Sequence, residues 1–373
     1  MKVYWPSDLS SEIERYINSL NTDNHEFKYS PSKNNLTKYG ELLELGFSCY
    51  ALKINYIISS NKLNDSSYVE KWSYYLNSFQ SEKNNFGKNS YVDKYLVEYH
   101  KQFKLSIFIK DTLKNMANIF PNQKYETRSS KLKSYIFAET KQAISTLFQV
   151  NKISKNVFLS FPKSEKDIYD KLDFFNWSKP WNAGAQFANV CMLTNTQLSS
   201  QDSLNNSKYL NSYIKTKLNS KDGLYYSGKT SDKRELINGA MKVITGLDWI
   251  NSEIHSPEKL IDFCLNYKVD YEGCDIVDVV YVLYKCSKQT EYKKKEIIHY
   301  FETLEPIIFK HYFEVEGGFS YFINKSQTHY YGVEVTKGKN LPDIHGTLLL
   351  VWAISMMDEI RESDRFNLKV IKP

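Results

Sequence analysis

Apolar residues recur at three- and four-residue steps along most of the chain, the spacing of amphipathic helices. The pattern predicts helices over Tyr39–Ser59, Ser90–Phe120 and Lys133–Val150. Ser11 and Glu14 make a capping-box pattern that opens the first helix. Four later segments differ: WNAGAQFANVCMLT (Trp181–Thr194), INGAMKVITGLDWI (Ile237–Ile250), CDIVDVVYVLYKC (Cys274–Cys286) and DIHGTLLLVWAISMM (Asp343–Met357). They are apolar nearly all round, and such helices are buried on every side. Between them run charged, one-faced helices over 202–218, 256–267 and 291–313, the second with Ser256 at its N-cap and Pro257 at N1. Strand or hairpin signals occur only around DGLYYSG and EGGFSYFINK.

The alternation of wholly apolar and half-polar helices predicts two concentric layers. The expected fold is all-α: an α/α toroid of about six inner and six outer helices, with short β-hairpins in its loops. Inner segments would start near Gly40, Glu139, Asn182, Asn238, Asp275 and Asp343. An open α-solenoid is the rival, but solenoids keep a steadier period. Residues 1–373 are read as one domain, with 1–120 as a more divergent helical part.

Gly223, Gly228, Lys229 and Thr230 spell G-x-x-x-x-G-K-[ST], the phosphate-loop pattern. That loop needs an apolar strand before it and small residues inside it. Here a polar helical segment precedes it, and its interior holds Leu224, Tyr225 and Tyr226. Asp222-Gly223 and Ser227-Gly228 are turn dipeptides, so the expectation is an aromatic hairpin. EGGFSYF (Glu316–Phe322) repeats the same grammar before another apolar helix.

These two stretches, EGGFSYF…PDIHGTLLLVWAI above all, resemble the repeats of α/α-toroid proteins such as terpenoid cyclases and the β subunits of protein prenyltransferases. The resemblance covers about a third of the chain and implies the toroid, not the reaction. No D-x-D-D, no D-D-x-x-D and no zinc set of Asp, Cys and His maps onto the sequence. Glycoside hydrolases and polysaccharide lyases also use α/α toroids, and fold alone does not choose among them.

Composition narrows the partners. Net charge is +6 and spread along the chain, which argues against nucleic acid and slightly favours acidic substrates. The longest apolar stretch, Gly346–Met357, is too short to span a bilayer. Five cysteines without a C-x-x-C pair read as buried thiols in a reducing compartment, so the expectation is a cytoplasmic protein.

In a ring of inner helices the N-termini gather at one mouth, each with unpaired N–H groups and partial positive charge. Polar residues at those starts are the candidate site. His345 is the expected acid/base group, kept neutral by the helix N-terminus, with Tyr330 or Tyr331 beside it. Asp343 and Glu139 complete the catalytic candidates. Asn182 and Asn238 would be neutral donors to an oxyanion. Trp181, Tyr225, Tyr226 and His329 would contact substrate, and Asp275 and Asp278, three apart on one helical face, suit a sugar hydroxyl or a divalent cation. No cofactor is otherwise expected. Asn182, Asn238, Asp275 and Asp343 are also capping types. The leading expectation is an enzyme acting on a carbohydrate or other polar anionic substrate, as lyase or hydrolase. The alternatives are a terpenoid- or prenyl-processing enzyme and a non-enzymatic helical scaffold binding protein or glycan.

Overall fold

The computed structural model describes residues 5–22, 25–102, 105–117, 119, 125–230, 232–363 and 365–373. Among them are fifteen α-helices: α1 (Leu9–Ser19), α2 (Lys38–Leu42), α3 (Leu45–Ile57), α4 (Ser66–Asn77), α5 (Lys94–Lys101), α6 (Leu105–Ala117), α7 (Arg128–Gln149), α8 (Glu165–Asp173), α9 (Pro180–Gln197), α10 (Ser200–Lys215), α11 (Lys233–Trp249), α12 (Pro257–Leu265), α13 (Gly273–Ser287), α14 (Lys294–Phe309) and α15 (Ile344–Ile360). The strands are short and form four antiparallel pairs: β1 (Asn21–Thr22) with β2 (His25–Tyr29), β3 (Gln80–Ser81) with β4 (Ser90–Tyr91), β5 (Tyr312–Phe313) with β6 (Gly318–Phe319), and β7 (His329–Tyr330) with β8 (Val333–Glu334). The fold is mostly helical, with the hairpins confined to connections.

Six helices touch in a closed order. α3 packs on α7, α7 on α9, α9 on α11, α11 on α13, α13 on α15, and α15 returns to α3. The polar-faced helices cover them: α8 and α10 lie on α9, α12 and α14 on α13, and α4 on α3 and α7. Four of the six demonstrably run the same way. Near the starts, Trp181 N–H donates to Glu235 at 2.9 Å, Arg234 pairs with Glu272, and Gly273 N–H donates to the Tyr321 carbonyl, whose own N–H reaches Asp343. Near the ends, Lys285 pairs with Asp248 at 2.7 Å and Tyr284 donates to Glu359 at 3.0 Å. The last residues run under the other end. Lys369 N–H donates to the carbonyl of Ile57, Lys372 N–H to Gln149, and Trp249 Nε1 to the carbonyl of Pro373. The ends of α3, α7 and α11 therefore also meet on that side.

Glycine sets the spacing of α9 and α11. A Cβ on Gly239 would stand 2.6 Å from Pro180, one on Gly246 2.7 Å from the Phe187 ring, and one on Gly184 2.9 Å from the Gly239 carbonyl oxygen. Only hydrogens fit between these backbones.

Several sequence expectations are corrected. The first helix is capped by Asp8, which accepts Ser11 N–H at 2.9 Å, and not by the Ser11–Glu14 box; a carboxylate lay three residues further upstream. Tyr39–Ser59 is two helices. Buried Asp93 accepts the N–H groups of Glu44 and Leu45 at 2.7 and 3.1 Å, so α3 starts afresh there from an extended Leu43. Ser90–Phe120 is a strand and two helices: Ser90 and Tyr91 pair with β3, and α5 ends at Lys101. Residues 103–104, 118 and 120 of that stretch lie outside the described residues. α7 and α11 begin earlier than their apolar patterns, because Thr127 and Asp232 cap polar first turns. Glu139 thus sits about three turns inside α7, not at its start.

The phosphate-loop pattern forms a turn. Gly223 and Gly228 take φ of +76° and +80°, a bridge joins Leu218 to Tyr225, and Lys229 is exposed. No strand precedes it, and no parallel sheet occurs among the described residues. The parallel device at Glu316–Phe322 holds β6, with Gly317 at φ +83°.

Candidate functional site

The start of α15 carries the most constrained group. Asp343 caps it, accepting Gly346 N–H at 2.8 Å, and also accepts the N–H groups of Tyr321 at 2.8 Å and Gln327 at 2.9 Å. One carboxylate therefore ties two loop positions to the helix. Both then hold His345. Its Nδ1 lies 2.8 Å from Gln327 Oε1, and its ring is stacked between Tyr321 (5.4 Å, 23°) and Tyr50 of α3 (4.9 Å, 6°). With the Gln327 carbonyl as acceptor, Nδ1 carries the proton and Nε2 keeps its lone pair. Burial, and then the charge of Lys242, pushes the imidazole down to about 3. Burial and a nearby lysine both disfavour the imidazolium.

The inner faces of the six helices bring other polar groups together. Helical steps of three and four align Tyr50 with Lys53, Asn238 with Lys242, and Cys274 with Asp278. Asp278 is 1% exposed, and its Oδ2 has no hydrogen-bond partner. Burial, opposed by Lys242 and helped by Asp275, pushes its carboxyl up to about 7. Asn238 is fully buried with both its Oδ1 and Nδ2 unpartnered. Lys53 is 3% exposed, donates to Ser145 Oγ at 3.1 Å and is held down to about 8 by burial. Lys141 is shifted downward by burial and by the like charges of Lys53 and Lys242. Lys141 and His345 are each partly open to solvent. Tyr281 and Trp352, with rings 5.3 Å apart, lie deeper along α13 and α15.

The remaining sequence candidates scatter. Tyr330 is buried and donates to Glu139 Oε1 at 3.1 Å, which ties the β7–β8 hairpin to α7. Burial, and then the charge of Asp93, raises the Glu139 carboxyl well above its ordinary range, and its Oε2 is unpartnered. Tyr331, at φ +44°, stacks on Tyr135, and its carbonyl meets His100 Nε2 at 2.9 Å. Asn182 is exposed; on its own face of α9, one and two turns deeper, stand the buried Gln186 and Asn189. Trp181 is half-buried. Asp275 is occupied by Tyr267 and the Asp270 N–H, so it does not share a free face with Asp278. Tyr225 is buried against His255, Tyr226 closes a turn onto Asp222, and His329 is exposed. Among the described residues, no group of three or more His, Cys, Asp or Glu side chains converges to hold a metal ion.

Sequence reasoning missed Lys53, Lys141, Lys242, Gln327 and Tyr50. The signal was present: Lys53 and Lys242 are lone cations in the middle of apolar helices, SCYALKINYII and INGAMKVITGL. A cavity of about 510 Å³ lies at the other helix ends, between Asp248, Tyr281, Lys285 and Glu359 and the tail residues 368–372. Its Lys285 is paired with Asp248, unlike the three interior lysines. No helix among the described residues is long and apolar enough to cross a membrane. No protein-family model matches this chain, and no curated protein matches it.

Proposed function

We propose that this chain is an α/α-toroid enzyme that transforms a small polar, anionic molecule or a glycan by acid/base chemistry inside the ring. The closed contact order of α3, α7, α9, α11, α13 and α15 supports the toroid. The observation that carries the chemistry is Asp278. A general acid/base works best when its pKa lies near the working pH. The Asp278 carboxyl, pushed up to about 7 with one oxygen free, meets that condition. His345 is too weak a base for the same task; its neutral Nε2 accepts a hydrogen bond and orients a substrate hydroxyl. Asn238 offers an amide N–H donor to an oxygen that gains charge. Either β-elimination next to a carboxylate or hydrolysis would use this set. Charged and polar groups on these helices, Lys53, Lys141, Lys242 and Asp278, favour such a substrate over a hydrocarbon chain. Five free cysteines suit a reducing, cytoplasmic setting.

The test is a panel of uronate-containing and phosphorylated sugars, followed by reducing-end release and by the near-ultraviolet absorbance of a new conjugated double bond. On the substrate so found, Asp278→Asn should lower kcat by about a hundredfold or more. It should also remove the limb of the pH–rate profile near neutrality. Retention of both rate and profile would exclude Asp278 as the acid/base group.

A further inference from the structure

Lys53, Lys141 and Lys242 come from three different helices of the circuit, α3, α7 and α11. Each sits near the middle of its helix. Lys53 is eight residues past the start of α3 and Lys242 nine past the start of α11, which at 1.5 Å per residue puts both roughly 12–14 Å below the first turns. The Lys53 ammonium reaches Ser145 Oγ at 3.1 Å, one turn beyond Lys141 on α7. A Cβ on Gly184 would stand 3.1 Å from Lys242 Cβ, so the lysine stem passes close over α9. Lys141 lies within electrostatic reach of both Lys53 and Lys242, and Lys242 within reach of His345 and Asp278.

Several other partly buried lysines are paired, though Lys372 lies over the Trp249 ring with no carboxylate partner among the described residues. Lys28, Lys217 and Lys285 each meet a carboxylate within 4 Å. Within the circuit Lys53 reaches only the hydroxyl of Ser145, and Lys141 and Lys242 have no hydrogen-bond or ion-pair partner among the described residues. Asp278 lies within electrostatic reach of Lys242, and burial raises its carboxyl to about 7. Like charges gathered without counter-charge repel one another, and the buried Lys53 also loses solvation. A fold keeps such an arrangement where a ligand supplies the missing charge.

We infer that Lys53, Lys141 and Lys242 form one cradle for a phosphoryl group, a phosphate monoester or diphosphate, on the molecule bound inside the ring. A carboxylate brings one negative charge to three ammonium groups. A phosphate brings nearly two and three acceptor oxygens, and a diphosphate more, which matches both the charge and the number of donors. The fully buried Asn238, one turn from Lys242, adds an amide donor without a partner. The phosphate-loop pattern around Lys229 has no part in this; it is an exposed turn. The inference rests on the reading of the ring interior as the substrate site and names the substrate's charged end.

The experiment uses the full chain with pyrophosphate, inorganic phosphate and acetate as probes, by isothermal titration and thermal melting. Pyrophosphate should bind most tightly, phosphate more weakly and acetate not measurably, with affinity falling as salt rises. Lys141→Gln and Lys242→Gln should each weaken pyrophosphate binding about tenfold or more, the scale of losing one charge-assisted contact. Lys229→Gln should leave it unchanged. Melting of each variant without ligand establishes that it is folded. No pyrophosphate binding by the wild type, equal binding by folded Lys→Gln variants, or loss of binding in Lys229→Gln would each overturn the cradle. Acetate binding as tightly as phosphate, with the same lysine dependence, would overturn the phosphoryl assignment. The acid/base reading stands or falls separately, on the Asp278→Asn rate.

Discussion

Lys53 is 3% exposed, has a single hydroxyl partner and is held down to about 8 by burial. Its folded pKa lies below the ordinary 10.5, so the folded state binds the proton less tightly than the unfolded chain. The stability this group allows is complete above about pH 10.5 and is lost as pH falls through 8. Near neutrality the protein therefore carries a desolvated ammonium at a cost of up to about 3 kcal/mol, from 1.36 kcal/mol per unit. Lys53→Met should melt higher than the wild type near pH 7, and the gain should fade above about pH 10. Melting curves of both across that range check it. A variant that melts lower at neutral pH would mean that the Ser145 bond outweighs the burial.

That lysine also shows what was legible at this scale. A lone cation within SCYALKINYII is visible in the sequence. Which way it points is not, because a helix apolar all round has no periodic face to fix its rotation. The same ambiguity separated Asn182 from Gln186 and Asn189. All three occupy one stripe of α9, but only the tertiary packing says that the first is exposed and the others are buried. His345 and Asp278 were readable as polar residues near the starts of apolar helices. Their tuning was not, since it comes from Lys242 and from burial by elements far away in sequence.

Elements meet through their small residues and their caps. α9 and α11 approach along Gly184, Gly239 and Gly246. Alanine at 239 gains about 1 kcal/mol of helix propensity but sets a methyl group 2.6 Å from Pro180 and 2.9 Å from its backbone. Overpacking of that kind costs about 1–3 kcal/mol, so Gly239→Ala should lower the melting temperature. The alternative outcome, a rise, would mean that α9 shifts freely. Helix existence was legible from periodicity, and the wholly apolar segments were the surest. Boundaries were not, for a physical reason. The break at Leu43 depends on Asp93, which caps α3 from another part of the chain, and the late start of α5 on the pairing of Ser90–Tyr91 with β3.

At the scale of the molecule, early and late segments interlock. Trp5 Nε1 donates to Glu305 at 2.8 Å, Ser10 Oγ to the Phe366 carbonyl at 2.9 Å, and Ser32 Oγ to the Pro342 carbonyl at 2.7 Å. The tail spans the ends of α3, α7 and α11 and walls the cavity there. Removing residues 367–373 should lower the melting temperature and speed amide exchange at the C-terminal turns of those three helices together, because their shared contacts are lost at once. Unaltered protection there would show that the tail is only a cover.

The pairing of α3 with α15 has a further consequence for biogenesis. On the ribosome, the flank of α3 that α15 later covers stays bare until α15 has been translated and has left the exit tunnel. The circuit cannot shut before then. A folding helper with affinity for greasy surface would meet its substrate in that interval, at residues 45–57.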